Sequence, residues 1–122
     1  KDKIKSSILD KAGGNTENID ARLIFDAAKE GDQLGIETVD RMIKYLSIGI
    51  INIFNILDPD IIAIGGGVSK AGAYLTDKLK KEVGGMLFTS GIKYGDIVLA
   101  QLGNEAGLLG AAFLGVNRNC VL

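Results

Sequence analysis

The chain has 122 residues, 47% of them hydrophobic, with a mean hydropathy of +0.23; this is enough for one packed domain over residues 1–122 and argues against a disordered chain. Its 14 basic and 15 acidic groups leave a net charge of −1 with no basic stripe, which argues against nucleic acid or an anionic membrane as partner. No histidine and a single cysteine, Cys120, remove the usual general base, a Ser-His triad, an intrachain disulfide and a multi-cysteine zinc site.

The chain opens on Lys1-Asp2-Lys3, without a methionine and without an apolar signal core, so further sequence upstream is expected, although processing would leave the same start. Residues Ile4 to Leu9 read as the end of a helix that stops at Gly13-Gly14-Asn15. Asp20 is the expected N-cap of a short helix through Glu30, with Gly31 as its stop. Asp32 is the expected cap of a longer helix, whose Leu34, Ile36, Val39, Met42, Ile43 and Leu46 keep helical spacing. From Ile48 to Leu57 the pattern is apolar nearly all round, which predicts a helix end sunk in a core. That run contains Asn52 and Asn55 and is far shorter than the ~20 residues of a membrane span. Asp58-Pro59-Asp60 should end the helix, because proline disfavours helical geometry at the preceding residue.

Ile61 to Ile64 is a β-branched apolar run bounded by Pro59 and Gly65, and predicts a strand buried on both faces. Gly65-Gly66-Gly67 follows, and Ser69 is the expected cap of a helix to about Val83, stopped by Gly84-Gly85. Ala71, Leu75, Leu79 and Val83 form its buried stripe; Asp77, Lys78, Lys80, Lys81 and Glu82 form its wet side. Met86 to Gly95 reads as an irregular connection, and Ile97 to Ala100 as a second buried strand. Leu102-Gly103-Asn104 then turns into a last helix, with Asn104 as cap and Ala106, Gly107, Gly110 and Ala111 as a small-residue face. The order strand, helix, strand, helix predicts a βαβα unit with parallel strands, preceded by long helices.

Three features carry candidate chemistry. Glycine accounts for 17 residues, about twice the ordinary ~7% share, and Gly65-Gly66-Gly67-Val68-Ser69 concentrates it where a strand enters a helix. Such a turn brings backbone amides up to a ligand with no Cβ in the way; it is equally a tight turn with no ligand. It is not G-x-G-x-x-G, since Lys70 stands at the third glycine, and no G-K-[ST] is present. Leu102-Gly103-Asn104-Glu105-Ala106-Gly107 is a second such turn, and parallel strands would set both at one sheet edge; capping by Asn104 explains it as well. Asn52 and Asn55 are read as amides bonded to neighbouring backbone, with a site-lining role as the other possibility. The aspartates fall at caps and on wet faces and are taken as solvated.

The run Asn52-Ile-Phe-Asn55-Ile-Leu-Asp58-Pro59-Asp60-Ile-Ile-Ala-Ile64-Gly65-Gly66-Gly67-Val68-Ser69 resembles the core of the C-terminal half of ROK (repressor, open reading frame, kinase) proteins. Leu102-Gly-Asn-Glu-Ala-Gly-Leu-Leu-Gly-Ala-Ala112 resembles it too, and Ile24-Phe-Asp-Ala-Ala-Lys-Glu-Gly-Asp32 is similar to the preceding helix pair. The resemblance implies an α/β fold of the actin- and hexokinase-like ATPase kind, an RNase H-like lobe, of which this chain is the C-terminal part. It implies ATP with Mg²⁺ as cofactor and transfer of the γ-phosphoryl group to a hexose hydroxyl, as in a glucose kinase, in the cytoplasm. Carried over, Gly66, Gly67 and Val68 would line the adenosine, Gly65 and Ser69 would shape the turn, and Asn104 would hold the last helix beside it.

The family's Asp-x-Gly-Gly-Thr phosphate loop, catalytic aspartate, Glu-x-Gly-His sugar motif and cysteine-rich zinc motif have no counterpart in these 122 residues. The expectation is therefore an adenosine-binding part with no catalytic residue and no zinc site of its own, the hexose being held upstream. A sugar-responsive repressor of the same family is the main alternative, and a stand-alone dimerisation module a third. Association into a homodimer is expected from an open strand edge, the face of Ile61 to Ile64 and the apolar C-terminal end of the helix from Asp32 to Leu57.

Overall fold

The structure is a computed structural model that describes residues 6–86, 94–102 and 105–118. Among these residues, five helices, α1 (Ile8–Lys11), α2 (Ala21–Lys29), α3 (Gln33–Leu57), α4 (Ala73–Met86) and α5 (Ala106–Arg118), accompany two strands, β1 (Ile61–Ile64) and β2 (Asp96–Leu99). The strands pair in parallel with Ile61 opposite Asp96 and Ile64 opposite Leu99, as the βαβα order predicts. No described helix is long and apolar enough to cross a membrane.

Local chemistry sets the two helix starts. The Asp20 carboxylate accepts the Leu23 N–H at 2.8 Å, and the Asp32 carboxylate accepts the Gly35 N–H at 3.0 Å. Asp32 also accepts the Ser7 N–H at 2.6 Å and the Ser6 and Ser7 hydroxyls, which ties the start of α1 to the start of α3. These bonds, those from the Gly35 and Ser7 amides first, lower the Asp32 pKa to about 2. A Cβ at Gly35 would stand 2.9 Å from the Ala28 nitrogen, so α2 and α3 cross this closely because residue 35 is glycine. Asp58 ends α3 in the left-handed region, at φ 44°.

The core lies between α3 and α4 and extends to α2 and β2. Val39, Ile43, Ile50 and Phe54 of α3 meet Leu75, Leu79 and Val83 of α4, the last three with no exposed surface. Each of those three contributes roughly 2 kcal/mol by leaving water. Phe25 packs edge-on against Tyr74 (6.3 Å between centroids), and Phe54 against Tyr94 (5.4 Å).

Several expectations are corrected. The first helix runs over Ile8–Lys11, two residues beyond Leu9, and residues 1–5 lie outside the described residues. Ser69 does not cap α4: Gly67–Ala71 forms a 3₁₀ turn, Gly72 at φ 68° breaks it, and α4 starts at Ala73. Helix α4 passes through Gly84 and Gly85 to Met86; two glycines cost roughly 1 kcal/mol each, which burial of Leu79 and Val83 on the same helix outweighs.

β1 is not buried on both faces. Ile62 and Ile64 are half-buried, while Ile61 and Ala63 face outward, because helices cover one side of this two-stranded sheet. The far end of α3 is likewise one-sided: Ile50 and Phe54 are buried, Ile56 is 79% exposed and Leu57 71%. Asn52 and Asn55 therefore lie on the exposed side and need no buried partner. The small-residue face of α5 is exposed as well, as are all residues from Ala106 to Gly115. Residues 87–93 of the expected irregular connection lie outside the described residues, as does Asn104.

Candidate functional site

β1 delivers the glycine turn to the carboxyl edge of the sheet. The Ala100 N–H donates to the Ile64 carbonyl at 2.9 Å, so the chain leaving β2 runs beside Gly65, where a Cβ would lie 3.6 Å from the Ala100 side chain. The two strands thus release their following segments at one edge, where open α/β sheets hold ligands. Asn104, expected at the second turn, is outside the described residues.

The five residues of the first turn play different parts. Gly66 stands at φ 80°, a conformation that side chains rarely adopt, so the backbone itself requires glycine there. Ser69 closes the turn: its N–H and its hydroxyl both donate to the Gly66 carbonyl, at 3.2 and 2.7 Å. Val68 packs against the hydrophobic core. Gly65 makes only ordinary contact with Ala100. Gly67 has no positive φ, and a Cβ built on it would meet nothing within 4 Å. Neither conformation nor packing among the described residues accounts for glycine at that position.

Gly67 borders a cavity of about 320 Å³ between the turn and α2, lined also by Arg22, Phe25, Asp26, Lys29, Lys70 and Ala71. Phe25 and Ala71 are buried. Arg22, Lys29 and Lys70 bring three cations and Asp26 one carboxylate, all on exposed residues. Arg22 stands 3.8 Å from Asp26 as an i,i+4 pair, and the Lys29 ammonium lies 5.9 Å from the Tyr74 ring centre. The cavity joins apolar surface to cationic surface and opens onto a glycine with no Cβ, which fits a flat, partly apolar, negatively charged ligand.

Sequence reasoning reaches Gly67 but not the opposite wall. The signal is present: Arg22, Phe25, Asp26 and Lys29 recur at i, i+3, i+4 and i+7 and share one face of α2. Among the described residues there is no group of three or more Cys, Asp and Glu side chains that could hold a metal ion.

Arrangement and comparison agree on the class of fold. The chain matches solved sugar kinases of the actin- and hexokinase-like ATPase kind. One is a ROK family glucokinase from Streptomyces griseus, solved in complex with glucose and AMPPNP. The two share a TM-score of 0.76 and 30% identity, over 88% of this chain and 35% of that one. A ROK hexokinase from Thermus thermophilus matches with a TM-score of 0.65 and 31% identity, over 82% of this chain and 34% of that one. The ROK family model matches residues 5–118, and the chain belongs to the ROK family. A glucokinase from Thermotoga maritima is 36% identical over 110 residues, 90% of this chain. An N-acetyl-D-glucosamine kinase from Aliivibrio fischeri is 36% identical over 93 residues, 76% of this chain. The chain spans 35% of the first of these relatives and 30% of the second.

Proposed function

We propose that this chain is the adenosine-binding, C-terminal part of a cytoplasmic ATP-dependent hexose kinase. In that role the Gly65–Ser69 turn receives the nucleotide and Asn104 steadies the helix beside it. Gly67 is the observation that carries the proposal: it is a glycine that the described fold does not require, at the mouth of a cavity, directly after a parallel strand. Support comes from the Streptomyces griseus relative, which was solved with AMPPNP bound, and from the sugar kinases among the other relatives.

On this proposal the chain's own contribution is to bind and orient. The turn offers its backbone to adenosine without a side chain in the way, and the cavity beside it excludes water from part of the ligand. Mg²⁺ on the phosphates, the base that takes the sugar proton and the sugar contacts belong to segments beyond these residues. Orientation alone lowers a phosphoryl-transfer barrier, because the reaction depends on in-line placement of the γ-phosphate.

The test is steady-state kinetics on the full-length protein carrying Gly67→Val. The branched side chain enters space that is empty of protein, so the fold persists while a ligand on the backbone is displaced. KM for ATP should rise about tenfold or more, with KM for sugar unchanged. An ATP affinity equal to wild type would make the turn purely structural.

A further inference from the structure

Granted the proposed function, with a nucleotide at the glycine turn, we propose that Asp32 is a positioning residue for that nucleotide. Its clasp on Ser6 and Ser7 fixes the chain entering α1 against α2, and so couples occupancy of the sugar site to affinity for the nucleotide. Helix α2 stands between the two places. One face of it, with Arg22, Phe25, Asp26 and Lys29, walls the cavity at Gly67. Its last turn meets Asp32 and α1: the Asp32 N–H donates to the Ala27 carbonyl at 2.9 Å, and the Lys11 ammonium pairs with Glu30, just past α2, at 2.7 Å. Gly35 passes Ala28 too closely for a Cβ, so α2 and the start of α3 move as one body.

Asp32 divides its two oxygens between tasks. Oδ1 accepts the Gly35 N–H at 3.0 Å and the Ser6 hydroxyl at 3.1 Å. Oδ2 accepts the Ser7 N–H at 2.6 Å and the Ser7 hydroxyl at 3.0 Å. Capping α3 takes one acceptor, which asparagine supplies as well as aspartate. The second oxygen serves the arriving chain instead. Ser6 and Ser7 are half-buried, and a cavity of about 570 Å³ lined also by Asp10, Glu30 and Gly31 lies beside them, so the clasp has space into which to open. On the proposed function the segment that holds the sugar precedes Ser6. A displacement of that segment reaches Ser7 first, then Asp32, then α2 and its wall at Gly67, through hydrogen bonds and packed backbone at each step. Coupling of this kind is reciprocal: sugar tightens nucleotide by the factor by which nucleotide tightens sugar.

The experiment is calorimetric titration of the full-length protein with AMPPNP, without sugar and with saturating glucose or N-acetyl-D-glucosamine, whichever it phosphorylates. In wild type, sugar should tighten AMPPNP about fivefold or more. Asp32→Asn keeps the cap on α3 but turns an amide donor toward the Ser7 N–H, and sugar should then change AMPPNP affinity by less than about twofold. At saturating sugar, KM for ATP should rise in Asp32→Asn with kcat unchanged. Ser7→Ala, which loses the hydroxyl and keeps the N–H bond, should fall between the two. Val83→Ala, which lowers stability from the α3–α4 core, should keep the wild-type coupling, so that loss of stability alone is told apart from loss of the clasp. Coupling absent from wild type, or lost equally in Val83→Ala, would overturn the proposal. Full coupling in Asp32→Asn, with AMPPNP weakened in Gly67→Val, would overturn the role of Asp32 and leave the nucleotide turn standing. Wild-type AMPPNP affinity in Gly67→Val would overturn the two together.

Discussion

Asp32 shows how much structure one side chain organises. It caps α3 through the Gly35 N–H and holds the Ser6–Ser7 segment that begins α1, so a single carboxylate fastens the first helix to the longest one. Its pKa is lowered from 3.8 to about 2, with the Gly35 and Ser7 amide hydrogen bonds as leading causes. A depressed folded-state pKa means that the ionised form stabilises the fold. The contribution is complete above the unfolded value near 4 and is lost as pH falls through about 2. We predict that the stability difference between wild type and Asp32→Asn, read from urea midpoints, is constant above pH 4 and shrinks between pH 4 and 2. A difference that holds constant down to pH 2 would contradict the assigned role. Gly66 and Gly67 make a related contrast at the same scale: the first is glycine because of its φ of 80°, the second for no reason found within the described fold.

At the scale of elements, what is legible in the sequence is what depends on near neighbours. The caps at Asp20 and Asp32 reach only three residues along the chain, and the Leu75–Leu79–Val83 stripe needs only helical spacing, so both are readable. Ser69 misleads because its hydroxyl turns back to the Gly66 carbonyl, an alternative that local sequence offers equally well to a cap. The course of α4 through Gly84-Gly85 depends on core packing that no local rule contains. β1 and the end of α3 have apolar sequences suited to two-sided burial, yet each is covered on one side here. Of the candidate site, the glycine turn is readable from its succession to a strand, and the shared face of Arg22, Phe25, Asp26 and Lys29 from helical spacing; their meeting is not, because only the tertiary fold brings that face to Gly67. The exposed surface on Ile56, Leu57 and Ile61, with a two-stranded sheet whose edges are open among the described residues, makes self-association the expected state of the isolated chain. We predict a symmetric dimer in sedimentation equilibrium at micromolar concentration. A monomer whose mass does not change with concentration would contradict it.

For the whole molecule, 110 of the 122 residues match about 35% of the length of a Thermotoga maritima glucokinase, and the chain carries one edge of a parallel sheet with its glycine turn and the cavity beside it. Division of labour between this part and the rest follows from which side chains are present. Backbone, cations and one carboxylate surround the cavity, while histidine is absent from the chain. Binding a nucleotide is chemistry that these groups can perform, and on the proposed function the activation of a sugar hydroxyl falls to other residues. The most direct test is a crystal structure of the full-length protein grown with AMPPNP. The account predicts the adenosine of the nucleotide against the Gly65–Ser69 turn, at the cavity that Gly67 borders. An ordered nucleotide bound elsewhere, with this cavity left to solvent, would contradict it.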